Sequence, residues 1–375
     1  MYTPARSASA RGYSNQSKPD RDADANGTMK ALIYQGSNKC ALQDRPLPNL
    51  LSPTDAVVKM LHTTICGTDL HILRGEVPTV ETGLVLGHEG IGSIEALGSA
   101  VPAEDLFVGD LVLISCITAC GVCGPCRGGL PSHCASGGGW VLGNAIDGTQ
   151  AEYVRIPHAA CSLHKLPTNI NTHAAICLSD TLPTGYECGT LNANVQPGST
   201  VAIVGAGPVG LAAMLTAKLY SPSLTVVIDR DEARLELAKQ LGADEVVNPA
   251  SGDAMERLDA LSGEHGFQSV IEAVGRPTTF ELCQTLVAPG GFIANVGVHG
   301  QRAPLALDRL WDHNLTIRTR LVDTVTIPTL LRLYQAHKIN PAPLVTHSFP
   351  FREIVKAYET LQKPSTGVLK VGIEF

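Results

Sequence analysis

Two short stretches carry a concentration of reactive side chains, Cys66-Gly67-Thr68-Asp69-Leu70-His71 and Gly87-His88-Glu89-Gly90. A thiolate and an imidazole brought together by a fold make half of a site for a divalent metal such as zinc. The neighbours add a hydroxyl at Thr68, a second imidazole at His71, and carboxylates at Asp69 and Glu89. Three protein ligands with one position left open would make such a site catalytic rather than structural. Taken singly, Cys66 reads as a buried free thiol and His88 as a hydrogen-bonded core histidine. The rest of the chain weighs against that reading.

A second cluster, Cys120-x2-Cys123-x2-Cys126-x7-Cys134, has the spacing of a tetrathiolate zinc lobe. Gly121, Gly124, Pro125 and Gly128 let the backbone wrap closely around an ion. Four thiolates leave no open position, so this zinc would hold a lobe in place and perform no chemistry. A nucleic-acid zinc knuckle would want flanking basic residues, and only Arg127 is present.

The third motif is Gly205-Ala206-Gly207-Pro208-Val209-Gly210, between an apolar strand Thr200–Val204 and an apolar helix Leu211–Leu219. A second strand, Leu224–Ile228, ends in Asp229. Strand, G-x-G-x-x-G, helix and then an acid about 20 residues on is the dinucleotide fingerprint in its required context. Gly205 serves the tight turn, Gly207 the approach of a pyrophosphate, and Gly210 the packing of helix on strand.

These motifs need elements to position them. Over Met29–Val112 short apolar runs (Ala31–Tyr34, Ala56–Met60, Ile91–Leu97, Leu111–Ile114) alternate with Pro, Gly and Asp, which predicts a β-rich domain with its reactive residues on loops. From Thr200 onward, strands at Glu245–Val247, Ser269–Val274, Phe292–Val296 and Leu315–Leu321 alternate with helices at Glu232–Leu241, Ala254–Leu261 and Thr278–Val287. Six strands with helical crossovers predict a doubly wound parallel sheet, with ligand at the carboxyl ends of its strands. Helices at Ile327–His337 and Phe351–Leu361 follow, and a last strand, Gly367–Ile373, has no partner unless it returns to the first domain.

Totals bound the function. The 375 residues carry a net charge of −7 with no long basic run, against nucleic acid or an anionic membrane as partner. Eleven cysteines are too few for a disulfide scaffold, which points to a reducing compartment and metal-bound thiolates. The long uncharged stretch 199–217 contains Gly205, Gly207, Pro208 and Gly210, unsuited to a membrane span. Residues 1–28 are polar and Arg/Ser-rich, read as a disordered extension with a mitochondrial transit peptide as the alternative to a cytoplasmic protein.

With these motifs in hand, the sequence resembles the zinc-dependent medium-chain alcohol dehydrogenase family over residues 29–375. The resemblance implies a GroES-like catalytic domain (29–181 and 323–375), a Rossmann domain (182–322), and an active site in the cleft between them. It implies one catalytic and one structural zinc per chain, NAD in preference to NADP, and a small alcohol or carbonyl substrate. Cys66 and His88 resemble two catalytic zinc ligands, and Glu89 the adjacent acid that can ligate transiently. Thr68 resembles the hydroxyl that takes the substrate proton, His71 the far end of a relay, and Asp69 the carboxylate that orients the ligating histidine.

In the liver-type branch the third ligand is a cysteine; here that register falls on Asp180, with Cys177 the competitor. Aspartate there resembles the secondary-alcohol and glutathione-independent formaldehyde dehydrogenases, with polyol and threonine dehydrogenases as further alternatives. Trp140 and Cys116 resemble substrate-pocket positions. Asp229 resembles the acid on the adenosine ribose, and Arg230, Arg234, Thr184, Val274, Val296, Val298 and Lys370 further cofactor contacts, Lys370 at the pyrophosphate. The short segment between Cys134 and Trp140 resembles the homotetrameric branch. Relatives lacking the Cys66/His88/Asp180 set bind nucleotide without this chemistry.

Overall fold

In this computed structural model, residues 27–362 and 367–375 are described; most of the extension read at 1–28 lies outside them, and strand β1 already begins at Thr28. The strands are β1 Thr28–Tyr34, β2 Cys40–Pro46, β3 Ala56–Ile65, β4 Gly90–Leu97, β5 Leu111–Ile114, β6 Tyr153–Ile156, β7 Leu163–Lys165, β8 Thr200–Val204, β9 Leu224–Ile228, β10 Glu245–Val247, β11 Phe267–Glu272, β12 Val287–Asn295, β13 Thr316–Thr319, β14 Val345–Pro350 and β15 Lys370–Glu374.

β8 and β9 read TVAIV and LTVVI, and all but their first residues are buried. Runs with no polar alternation suit strands covered on both faces, as crossover helices require. They lie in a six-stranded sheet, β10-β9-β8-β11-β12-β13, every neighbouring pair parallel. The strand order reverses between β8 and β11, which opens a crevice at their carboxyl ends. Gly205 forms one wall of it: its φ is +110° and a Cβ there would come within 2.7 Å of Val274.

The other sheet runs β14-β15-β3-β4-β5-β7, with β6 also paired to β3. The final strand does return: β15 pairs antiparallel with β3, Val371 opposite Ile65 and Glu374 opposite His62. β1 and β2 form a separate antiparallel hairpin. One buried cluster spans both sheets, joining Ile91 and Leu113 to Val201, Ile203 and Leu211, and to Leu178 and Leu182.

The elements differ from expectation mainly at their ends. The helix after β8 starts at Pro208, whose fixed φ suits a first turn, and runs to Ala217. β11 begins two residues early at Phe267 and stops at Glu272, leaving Ala273-Val274-Gly275 as a turn. Between β7 and β8 the chain makes a series of short turns, Thr172–Ala175, Ile176–Leu178 and Thr181–Pro183, broken at Asp180 by a non-helical backbone (φ −146°, ψ −59°). Leu178 and Leu182 on either side are fully buried, each stabilising by about 1.5–3 kcal/mol, and they anchor that break.

Candidate active site

Cys66 ends the reach of β3 and caps the helix Gly67–Leu73, whose third residue, Asp69, accepts the Cys66 N–H at 2.9 Å through Oδ2. His88 and Glu89 precede β4, and Asp180 stands at the break described above. These three segments bring one donor atom each from Cys66, His88, Glu89 and Asp180 within 4.8 Å of one another. Asp180 Oδ2 lies 3.7 Å from Cys66 Sγ and 3.6 Å from His88 Nε2. A tetrahedral zinc with ordinary bond lengths separates S from O and N from O by about 3.4–3.6 Å, so the set fits.

Behind these groups, Asp69 Oδ1 and His88 Nδ1 face each other at 3.5 Å with no other hydrogen-bond partner. That arrangement leaves Nε2 for the ion and gives the carboxylate control of the ring. Asp69 is itself held: Gln150 Nε2 donates to its Oδ2 at 3.2 Å, and Tyr358 donates to Gln150 Oε1 at 2.8 Å. Both are buried, and neither carried a sequence signal, because the chain places them 81 and 289 residues from Asp69.

The electrostatics suit a metal centre. Burial works to raise the Asp180 carboxyl, but His88, Lys370 and Thr184 hold it well below the usual range. Burial alone would lower His88, yet the Asp69 and Asp180 carboxylates raise it well above its usual value. Burial raises the Cys66 thiol, with His88 opposing. A cation among these groups would compensate the buried anions that protons otherwise must.

Lys370, expected at the pyrophosphate, is 2% exposed with its Nζ 2.8 Å from Glu89 Oε1, while Thr64 donates to Glu89 Oε2 at 2.7 Å. β15 carries it to the back of the metal site because it pairs beside β3. Glu89 is thus held on both oxygens; burial raises its carboxyl, and Lys370 opposes the shift. Cys177, the competing ligand, lies outside the four-group set and its sulfur is 4.0 Å from the Pro341 carbonyl.

Thr68 is half-buried, its Oγ1 3.8 Å from Cys66 Sγ. His71, one turn on, pairs through Nδ1 with Glu76, whose carboxyl this contact and Arg74 hold below the usual range. Glu76 extends the predicted path toward solvent and was not singled out in the sequence. Trp140 stands edge-on to the His88 ring, centroids 6.4 Å apart, and packs with Val296 against the cluster containing Cys116.

At the crevice, Asp229 accepts the Ala206 N–H at 2.6 Å and the Asp231 N–H at 2.9 Å, which ties the end of β9 to the glycine turn. A Cβ on Gly207 would meet Arg234 at 4.0 Å, and Arg230 is exposed. Val209 is half-buried at the helix start, and Val274 and Val298 are exposed apolar side chains at the strand ends. The Thr184 hydroxyl, expected on the cofactor, donates to Asp180 Oδ1 at 2.9 Å.

The four lobe cysteines are also together. Sulfur pairs Cys120–Cys126 and Cys123–Cys134 are each 4.0 Å apart, near the edge of about 3.8 Å for a Zn–S tetrahedron. Backbone N–H groups of Cys120, Cys123 and Ala135 point at three of the sulfurs. The lobe is tied down by Asp323, which accepts from Ser132 N and Oγ and pairs with Arg320; Glu187 in turn accepts three N–H groups from Asp323, Thr324 and Thr326.

Comparison with known proteins agrees. The alcohol dehydrogenase GroES-like domain matches residues 52–168 and the zinc-binding dehydrogenase domain residues 208–336. An alcohol dehydrogenase of Cupriavidus necator is 34% identical, over 92% of this chain and 98% of its own. The chain belongs to the zinc-dependent medium-chain alcohol dehydrogenase family. A glutathione-independent formaldehyde dehydrogenase of Pseudomonas aeruginosa is 37% identical over 66% of this chain and 65% of its own length. The solved zinc-dependent alcohol dehydrogenase 2 from Streptococcus pneumonia, in apo form, superposes with a TM-score of 0.88 at 46% identity, covering 92% of this chain and 98% of that one. The enzyme is an NAD(P)-dependent zinc oxidoreductase with a GroES-like domain and a Rossmann domain. No helix among the described residues is long and apolar enough to cross a membrane.

Proposed function

We propose that the enzyme interconverts small secondary alcohols and ketones with NAD, using Cys66, His88 and Asp180 to hold the catalytic zinc and the Cys120/Cys123/Cys126/Cys134 set to hold the structural one. The observation that carries this is Asp180 Oδ2 facing both Cys66 and His88, with Trp140 edge-on to the His88 ring and packed against the cluster that contains Cys116. When bound, zinc supplies Lewis-acid polarisation of the substrate oxygen and the nicotinamide accepts or returns hydride.

The chain's own residues then do three things. Thr68 accepts the substrate hydroxyl proton, and His71 with Glu76 passes it to solvent. Asp69, held by Gln150, keeps His88 turned toward the ion. The Gly205–Gly210 turn, the crevice and the Val274 and Val298 side chains seat the dinucleotide, and the charge of Asp229 disfavours a 2′-phosphate. Trp311 at 77% exposure and Leu307 at 61% are apolar side chains left on the surface in the segment preceding the edge strand β13, which supports self-association; the state proposed is a homotetramer, and light scattering tests it. Cytoplasmic residence is part of the same proposal.

The test is Thr68→Ala. Turnover is expected to fall about 10²–10⁴-fold with two zinc ions retained per chain; survival of activity would remove the relay. Initial rates on propan-2-ol, ethanol, butane-2,3-diol, threonine and formaldehyde, each with NAD and NADP, separate the secondary-alcohol reading from its alternatives.

A further inference from the structure

The two oxygens of Asp180 have different partners. Oδ2 faces Cys66 and His88, while Oδ1 points the other way and receives two donors: the Thr184 hydroxyl at 2.9 Å and the Cys116 thiol at 3.3 Å. Cys116 is 2% exposed, and its own N–H donates to the Ser179 carbonyl at 3.2 Å, so its backbone is locked to the residue before Asp180. Its sulfur is outside the four-group metal set, which leaves its S–H free to donate. A thiolate there would set a second buried anion against the carboxylate, so the neutral donor is the favoured form.

We propose that Cys116 is a positioning residue for the catalytic zinc, one of two donors that hold Asp180 as a one-oxygen ligand, in addition to lining the substrate pocket. Three consequences follow physically. A carboxylate whose Oδ1 is occupied by two donors would present Oδ2 alone to a bound ion. Two donors on Oδ1 draw charge away from Oδ2, leaving the ion more electrophilic than a free carboxylate would. The donors come from separate elements, the loop after β5 and the helix Thr184–Leu191, so the ligand is fixed from two sides.

The proposal rests on the zinc reading above, and its test separates the two. Zinc release from the full-length enzyme to a chromophoric chelator is followed with time, the phase belonging to the mixed-donor site being the one missing in Asp180→Ala. Cys116→Ala is expected to speed that phase about 10-fold or more, and Cys116→Ser, which restores a donor, to return it to within about threefold of the parent. Thr184→Val, which removes the other donor, is expected to accelerate the same phase. Release from the four-cysteine lobe stays unchanged in all three and reports that each variant is folded. Cobalt-substituted Cys116→Ala is expected to shift its ligand-field bands, which a pure pocket-lining role would not do. A parent with two ions whose release and spectrum are indifferent to Cys116→Ala overturns this proposal alone. A parent holding one ion, in the lobe only, overturns the zinc reading and this proposal with it.

Discussion

The two candidate metal sites of this chain are built on opposite plans. The lobe draws four like ligands from 15 consecutive residues, orients them with backbone N–H groups, and leaves no position open. The candidate catalytic site draws unlike groups from three distant segments, and side chains orient three of the four: Asp69 for His88, Cys116 and Thr184 for Asp180, Lys370 and Thr64 for Glu89. A local site can be encoded by spacing, because the loop itself is the scaffold. A site with an open position has to be held from outside, since its ligands alone do not complete a closed shell.

The largest effect that would test this contrast comes from exchanging ligand losses. Asp180→Ala is expected to lower kcat/KM by about 10³-fold or more while thermal unfolding stays close to the parent. Cys126→Ala is expected to do the reverse: lower melting temperature and aggregation, with the activity of whatever stays folded less affected. Equal loss of stability in both variants, by calorimetry, would mean the catalytic ion is a structural element too.

A smaller effect sharpens the dependence on side-chain support. Gln150→Leu unfastens Asp69 from Tyr358 without touching a ligand. Zinc affinity of the mixed-donor site is expected to weaken about 10–100-fold, measured by competition with a chelator, while the lobe keeps its ion. Unchanged affinity would show that the Cys66 N–H alone is enough to hold Asp69.

The smallest expected effect concerns acid. His164 in β7 is half-buried, and the loss of solvation lowers its pKa from 6.5 to about 4. Between those values the unfolded chain binds the proton and the folded chain does not, so stability falls as pH drops through that window. The loss is about 1.4 kcal/mol at pH 5.5. Urea midpoints for the parent and His164→Gln at pH 7.5 and 5.5 check it, the variant being expected to lose the part of the slope due to this ring. An unaltered slope would place the acid sensitivity in the metal sites instead.

Much of the scaffold was legible in the residues. β5, β8, β9 and β10 fall where apolar runs bounded by Gly, Pro and Asp placed them. The hairpin strand β2 was missed because CALQDRP mixes apolar and charged residues and is nowhere fully buried. β11 began early and ended early because its register is set by β8 and β12, not by its own composition.

By itself the sequence determined the contents of both sites: four thiols at lobe spacing, a glycine turn between strand and helix with an acid beyond it, and a Cys, a His and an Asp able to bind zinc. Only the tertiary structure decided what surrounds them: that Lys370 pairs with Glu89, that Gln150 and Tyr358 stand behind Asp69, and that the Cys116 thiol meets the other oxygen of Asp180. Short-range chemistry is written in spacing because neighbouring residues are tied by covalent bonds. A hydrogen bond between residues 64 or 281 positions apart exists only once the sheets have packed, and no local pattern records it.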